Sequence, residues 1–145
     1  CLATFVERKT RFYVAIKMND RTQNSMFLVI SSLYNTLTSK LLKTFTIDRG
    51  KEFACYEQVE TEFGIPMYFA DAYAAWQCDS NENSNDLLRE LFPKKSDLAK
   101  VTLDKLTEAL MLINNRPRKC LGFKTPFNMF KYVAFISDIL SPFKI

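Results

Sequence analysis

Apolar positions along this chain change period several times, and each change marks an expected element. Cys1 to Val6 is a short apolar, β-prone stretch. The polar run Glu7-Arg8-Lys9-Thr10-Arg11 follows, then Phe12 to Met18, where Val14 and Ile16 alternate with Tyr13 and Ala15. Period-two alternation after a polar turn predicts a β-hairpin. From about Arg21 to Ser39 the period lengthens, and Met26, Val29, Ile30, Leu33 and Leu37 fall on one helical stripe. Core packing accounts for the whole stripe, so this helix carries no chemistry. Phe45 and Ile47 then alternate with Thr44 and Thr46, a strand with one apolar face, ended by Asp48 and the turn signal Arg49-Gly50. A strand, a helix and a strand in succession predict a β-α-β crossover, right-handed between parallel strands.

Lys51 to Phe63 predicts a second helix, closed by Gly64 as a C-terminal cap, and Pro66 to Ala70 a short buried strand. Asp71 to Asp79 has neither period and reads as a loop carrying Trp76. Ser80 or Asn81 can cap the next helix, with Glu82 in its first turn and Leu87, Leu88, Leu91 and Phe92 on its buried side. After the break Pro93-Lys94-Lys95, Thr102 to Asn115 predicts a helix with Leu103, Leu106, Leu110 and Ile113 on one face. A basic, helix-ending segment, Asn114-Asn115-Arg116-Pro117-Arg118-Lys119, precedes Gly122 and Pro126, and Phe127 to Leu140 reads as a final helix. There is no internal repeat, low-complexity tract or linker.

Composition narrows the function classes. A chain of 145 residues, 48% hydrophobic with 13 Phe, can bury a single core. The net charge of +4 favours contact with phosphates. No apolar run reaches the roughly 18 residues of a membrane span, and Glu7, Arg8 and Lys9 interrupt the first apolar stretch too early for a signal peptide. The cysteines Cys1, Cys55, Cys78 and Cys120 form no CxxC pair and His is absent, which argues against zinc and for free thiols in a reducing cytoplasm.

Two acids carry the candidate chemistry. Asp48 ends a strand, and acids at strand tips face the open edge of a sheet, where α/β folds hold ligands and metals. Glu82 follows after thirty-three intervening residues. Taken singly, each has a structural explanation: Asp-Arg-Gly is a turn, and a carboxylate in a helix's first turn is favoured by the helix dipole.

The blocks TIDRGKEFA, GIPMYFADAYAAWQ, NENSN-LLRELFPK and NNRPRKCLGFKTPF, in this order and spacing, resemble the catalytic core of insertion-sequence-thirty-type transposases, from about Val6 to Phe130. These enzymes belong to the DDE transposase/integrase superfamily. The resemblance implies an α/β fold, a ribonuclease H-like mixed sheet flanked by helices and lacking its first strand. It implies a partial catalytic core over residues 1–130 and a C-terminal tail, helical in pattern, over 131–145. In such enzymes three carboxylates hold two Mg²⁺ (or Mn²⁺) ions about 4 Å apart, which activate the attacking oxygen and stabilise the leaving one. The resemblance makes Asp48 the second of these and Glu82 the third.

The first acid belongs on a strand just before the opening hairpin, and neither Glu7, in the turn, nor Asp20, where the first helix begins, replaces it convincingly. The expectation is therefore a chain inactive, or nearly so, by itself. The family pattern Pro-Tyr-Ser-Pro-Trp-Gln-Arg-Gly stands here as Ala72-Tyr73-Ala74-Ala75-Trp76-Gln77-Cys78-Asp79. Losing both prolines loosens the loop, and Cys78 and Asp79 exchange a positive charge for a negative one. Asp86 puts another acid on the face of Glu82, one helical turn on.

Basic residues expected against DNA are Arg8 and Lys9 in the hairpin turn, Arg49 and Lys51 beside Asp48, and Arg116, Arg118, Lys119 and Lys124 beyond the penultimate helix. Trp76 could stack on a flipped base or anchor the loop. The implied partners are transposon-end and target DNA and further copies of the parent enzyme, with no membrane, in a bacterial-type cytoplasm. Three readings stand: a partial transposase core for metal-dependent cleavage and strand transfer, a non-catalytic remnant binding DNA or transposase, and another ribonuclease H-like nuclease. The helix-turn-helix domain that reads terminal repeats in such enzymes is not within these residues.

Overall fold

The computed structural model describes residues 1–74 and 79–140, without the side chains of residues 38, 39, 79 and 136–140. The chain is of the α/β class. β1 (Leu2–Val6) and β2 (Tyr13–Lys17) pair across the polar turn. They run antiparallel, since the Glu7 N–H donates to the Phe12 carbonyl at 2.8 Å and the Met18 N–H to the Cys1 carbonyl at 2.9 Å. α1 (Gln23–Leu41) follows, capped by the Thr22 hydroxyl, which accepts from the Ser25 N–H. Next come β3 (Phe45–Ile47), a 3-10 turn at Lys51–Cys55, α2 (Tyr56–Phe63) and β4 (Met67–Phe69). The chain continues with α3 (Asp79–Leu91), α4 (Leu103–Asn114), a 3-10 turn at Lys119–Leu121 and α5 (Pro126–Leu140).

The residues divide into two compact units: 1–3 with 16–79, and 4–15 with 80–145. In the first, the α1 stripe Met26, Val29, Ile30 and Leu33 is buried with Phe45, Ile47, Val59 and Met67. Each fully buried aliphatic side chain contributes about 2 kcal/mol of transfer free energy. Phe63 of α2 stacks with Phe27 and meets Tyr34, both on α1, with ring centroids 5.6 and 4.7 Å apart. Gly64 ends α2 at φ +65, the left-handed conformation a glycine reaches without steric cost.

In the second unit, Tyr13, Leu88, Leu106, Ala109 and Ile113 are buried together with the polar Thr10, Ser84 and Asn114. Phe12 stacks on Phe130 of α5 at 4.4 Å. α5 covers the segment Phe127 to Leu140 read from the sequence as a final helix.

Several expectations need correcting. Among the described residues there are two two-stranded sheets, β1-β2 and β3-β4, where one mixed sheet was expected. β2 does not continue through α1 into a parallel partner. The parallel crossover is the following one, β3 to β4, in register Phe45↔Met67 and Ile47↔Phe69. α1 packs on the first 3-10 turn and α2, and periodicity placed the helix without choosing which strands pair. The segment Lys51 to Phe63 starts as a 3-10 turn before becoming α-helical.

β4 is buried only at Met67, with Tyr68 58% exposed. Leu91 and Leu103 are exposed, because the buried faces of α3 and α4 run through Ser84 and Leu88, and through Leu106, Ala109 and Ile113. Cys1, Cys55 and Cys120 are free thiols. Among the described residues no helix is long and apolar enough to cross a membrane.

Candidate functional site

Asp48 stands immediately after β3, exposed to solvent. The parallel ladder ends beside it, where the Ala70 N–H donates to the Ile47 carbonyl at 2.7 Å. Its Oδ1 accepts the Gly50 N–H at 2.9 Å, so the side chain shapes the turn while its other oxygen takes no part in that bond. A Cβ on Gly50 would lie 2.8 Å from the Glu52 carboxyl carbon and 2.9 Å from Asp48 Oδ1. The carboxylates of Asp48 and Glu52 thus both border the space a side chain at Gly50 would fill. Glu52 was not a sequence candidate. Its signal, an acid four residues after Asp48 with a glycine between, becomes informative only once the shape of the turn is known.

Arg49 and Lys51 are exposed on the same turn and line a cleft of about 410 Å³ with Gly50, Phe53, Ala54, Tyr56 and Phe69. The structure therefore brings Asp48, Arg49 and Lys51 together in the first unit. Trp76 lies outside the described residues, as does Cys78.

Glu82 is the fourth residue of α3, which begins at Asp79 rather than after a cap at Ser80 or Asn81. The side chain is exposed, in the second unit. The helix that carries it is tied to the hairpin by Tyr13, whose hydroxyl donates to Asn85 Oδ1 at 2.6 Å. Burial pushes the Tyr13 phenol far above its ordinary range, so it stays a neutral donor. The Tyr13 backbone is held in turn by Asn114, which accepts its N–H and donates to its carbonyl, both at 2.8 Å. Sequence reasoning missed these positioning residues, because Asn85 and Asn114 look like ordinary polar helix residues.

The two acids considered as substitutes for a first aspartate have other work. Glu7 accepts the Thr10 hydroxyl and N–H, each at 2.6 Å, and the Lys9 N–H at 3.1 Å. Burial would raise its pKa, but these bonds outweigh it and hold the carboxyl below the usual glutamate range. Arg8 and Lys9 are displayed on the loop that Glu7 organises. Asp20 accepts from the Thr22 and Ser25 hydroxyls at 2.6 and 2.5 Å, which lowers its pKa and fixes the start of α1.

Beyond α4 the structure gathers the expected basic residues in one folded-back loop. Arg118 and Lys124 form an antiparallel bridge, with the Arg118 N–H donating to the Lys124 carbonyl at 3.0 Å. Two successive left-handed residues, Gly122 at φ +62 and Phe123 at φ +64, turn the chain between them. Arg116 pairs with Glu90 at 3.6 Å in an exposed contact, worth at most about 1 kcal/mol. Nε and Nη2 of Arg118 are buried without a hydrogen-bond partner. Burial, then the positive charges of Arg116 and Arg11, push its guanidinium pKa below the ordinary arginine value. Arg11, at φ +61 in the hairpin turn, thus belongs with this basic group electrostatically.

Comparison with known proteins defines the class. The transposase of insertion sequence element IS30A from Escherichia coli K12 is 36% identical over 137 residues, which cover 94% of this chain. The transposase of IS1086 from Cupriavidus metallidurans is 32% identical over 132 residues, 91% of this chain, and a putative integrase of Spiroplasma virus SpV1-R8A2 B is 30% identical over 89% of it. No family model matches the chain. The chain is thus a transposase/integrase homologue. More particularly, it is a relative of the IS30-type transposases, and it spans 36% of the length of the IS30A protein and 39% of the IS1086 protein.

Proposed function

We propose that the chain is part of the catalytic core of a DNA transposase, whose parent enzyme cuts and joins DNA at transposon ends, with Asp48 and Glu82 as the second and third carboxylates of its metal-binding set. The observation that carries this reading is the similarity to IS30-type transposases over more than nine-tenths of the chain. Asp48 supports it by standing exposed at a strand tip, and Glu82 by standing exposed in the opening turns of a helix. Among the described residues β1 pairs with β2 and β3 with β4, and a ribonuclease H-like sheet is compatible with two such pairs.

Among the described residues no three His, Cys, Asp or Glu side chains come together as a metal site, and Glu7 and Asp20 spend their oxygens on local hydrogen bonds. That observation favours, as a second reading, a chain that binds DNA without cutting it. Both readings predict retained, sequence-indifferent DNA binding through the Arg116 to Lys124 loop. Its salt slope should fall by about one for each phosphate-contacting cation replaced.

The test is nicking of plasmid DNA bearing IS30-type ends, in Mg²⁺ or Mn²⁺, with a retarded-gel binding assay alongside. Binding without nicking is the expected result. Robust nicking abolished by Asp48→Asn would show a complete centre in these residues. Absence of any DNA binding would overturn both readings.

A further inference from the structure

We infer that the cleft beside Asp48 receives one unstacked nucleotide of a DNA strand, its base against the aromatic wall and its phosphate toward Arg49 and Lys51. The inference rests on the DNA-acting reading and adds a subsite to it.

The cleft, about 410 Å³, lies within the usual size range of small-molecule sites, and its lining is mostly apolar. Three of its residues are aromatic. Tyr56 and Phe69 meet edge to face at 5.1 Å and 81°, so the two rings do not cover each other's faces as a stacked pair would. Phe69 is 40% exposed although it ends a strand, and Phe53, on the 3-10 turn, lines the cleft with it. The Tyr56 hydroxyl donates to Glu57 at 3.0 Å, which fixes the ring's orientation. An aromatic wall without cations would suit any flat apolar ligand. Here Arg49 and Lys51 belong to the lining, and neither has an ion-pair partner among the described residues. Flat π faces beside two cations suit a nucleobase joined to a phosphodiester. A paired base cannot present its face, so the occupant must be unpaired, at a strand end or flipped from the duplex.

The test is photocrosslinking of the 145-residue chain to a short oligothymidylate carrying one 5-iodo-deoxyuridine, with peptide mapping and a parallel titration of single-stranded and duplex DNA. Adducts are expected at Tyr56, Phe69 or Phe53. Tyr56→Leu, which keeps apolar bulk without a π face, should weaken single-strand binding about tenfold while duplex binding stays unchanged, and Tyr56→Phe should restore it. Thymidine monophosphate at equal nucleotide concentration should not displace the strand. Adducts confined to other segments, or equal loss of single-strand and duplex binding in Tyr56→Leu, would overturn the subsite and leave the DNA-acting reading standing. No binding of either form would overturn both.

Discussion

Asn114, near the end of α4, pairs with the backbone of Tyr13 as a neighbouring strand would, accepting its N–H and donating to its carbonyl at 2.8 Å each way. Both residues are buried, so water cannot replace either bond. A side-chain amide has one donor and one acceptor in the geometry of a peptide group. Asn114→Ala leaves two buried backbone groups unpaired and should cost about 2–4 kcal/mol in urea unfolding. Asn114→Asp keeps the acceptor but loses the donor and buries a charge, and should be no more stable than the alanine variant at neutral pH. A loss below 1 kcal/mol for Asn114→Ala would show that the pairing contributes little.

The Tyr13 hydroxyl and Asn85 form the link from the hairpin to the helix bearing Glu82. Tyr13→Phe and Asn85→Ala should each destabilise the chain by about 1 kcal/mol. The double variant should cost less than the two singles together, a coupling of about 1 kcal/mol in a double-mutant cycle. Strict additivity would mean that the two groups do not act on each other.

Glu7 gives the hairpin turn an acid-sensitive hold. Its folded pKa lies below its unfolded one, so ionised Glu7 favours the folded state. That contribution is complete above the ordinary glutamate range and is lost as pH falls through the lowered folded value. Glu7→Gln should therefore lower stability at neutral pH by about 1 kcal/mol, less than a fully buried group would show, and flatten the loss of stability between neutral and acid pH. Thermal melts of both proteins across that range would decide it. Parallel pH profiles would remove Glu7 from the account.

Gly50 tests the carboxylate pair. At φ −61 its backbone suits any residue, so only space opposes Gly50→Ala. The new methyl group meets the flexible end of Glu52 and the shorter Asp48 side chain, both closer than 3 Å. Gly50→Ala should cost about 1 kcal/mol or less, and Gly50→Ala with Glu52→Ala should recover most of it. If the second change recovers nothing, Asp48 rather than Glu52 is what the methyl group displaces.

Much of the fold was legible because it depends on local period. The stripe of α1, the hairpin, the alternation of β3 and the glycine ending α2 follow from spacing and from the conformations side chains permit. A match over nearly the whole chain tied the sequence to its relatives, since aligned blocks in order need no coordinates. Other features are invisible in one dimension. Leu91 and Leu103 fit an apolar stripe as well as Leu88 and Leu106 do, yet are exposed, because burial depends on which neighbour covers a face.

The sequence by itself determined the class, the helices and strands, and the two acids on which a catalytic reading turns. Only the tertiary structure decided how strands pair, that Asn114 acts as a strand partner for Tyr13, and that Glu52 and Asp48 both border the space beside Gly50. It also decided that Glu7 and Asp20 are engaged by hydrogen bonds around them. The physical reason is range: periodicity and turn chemistry act over a few residues, whereas the Asn114 and Tyr13 pairing joins groups 101 residues apart, and nothing local records it.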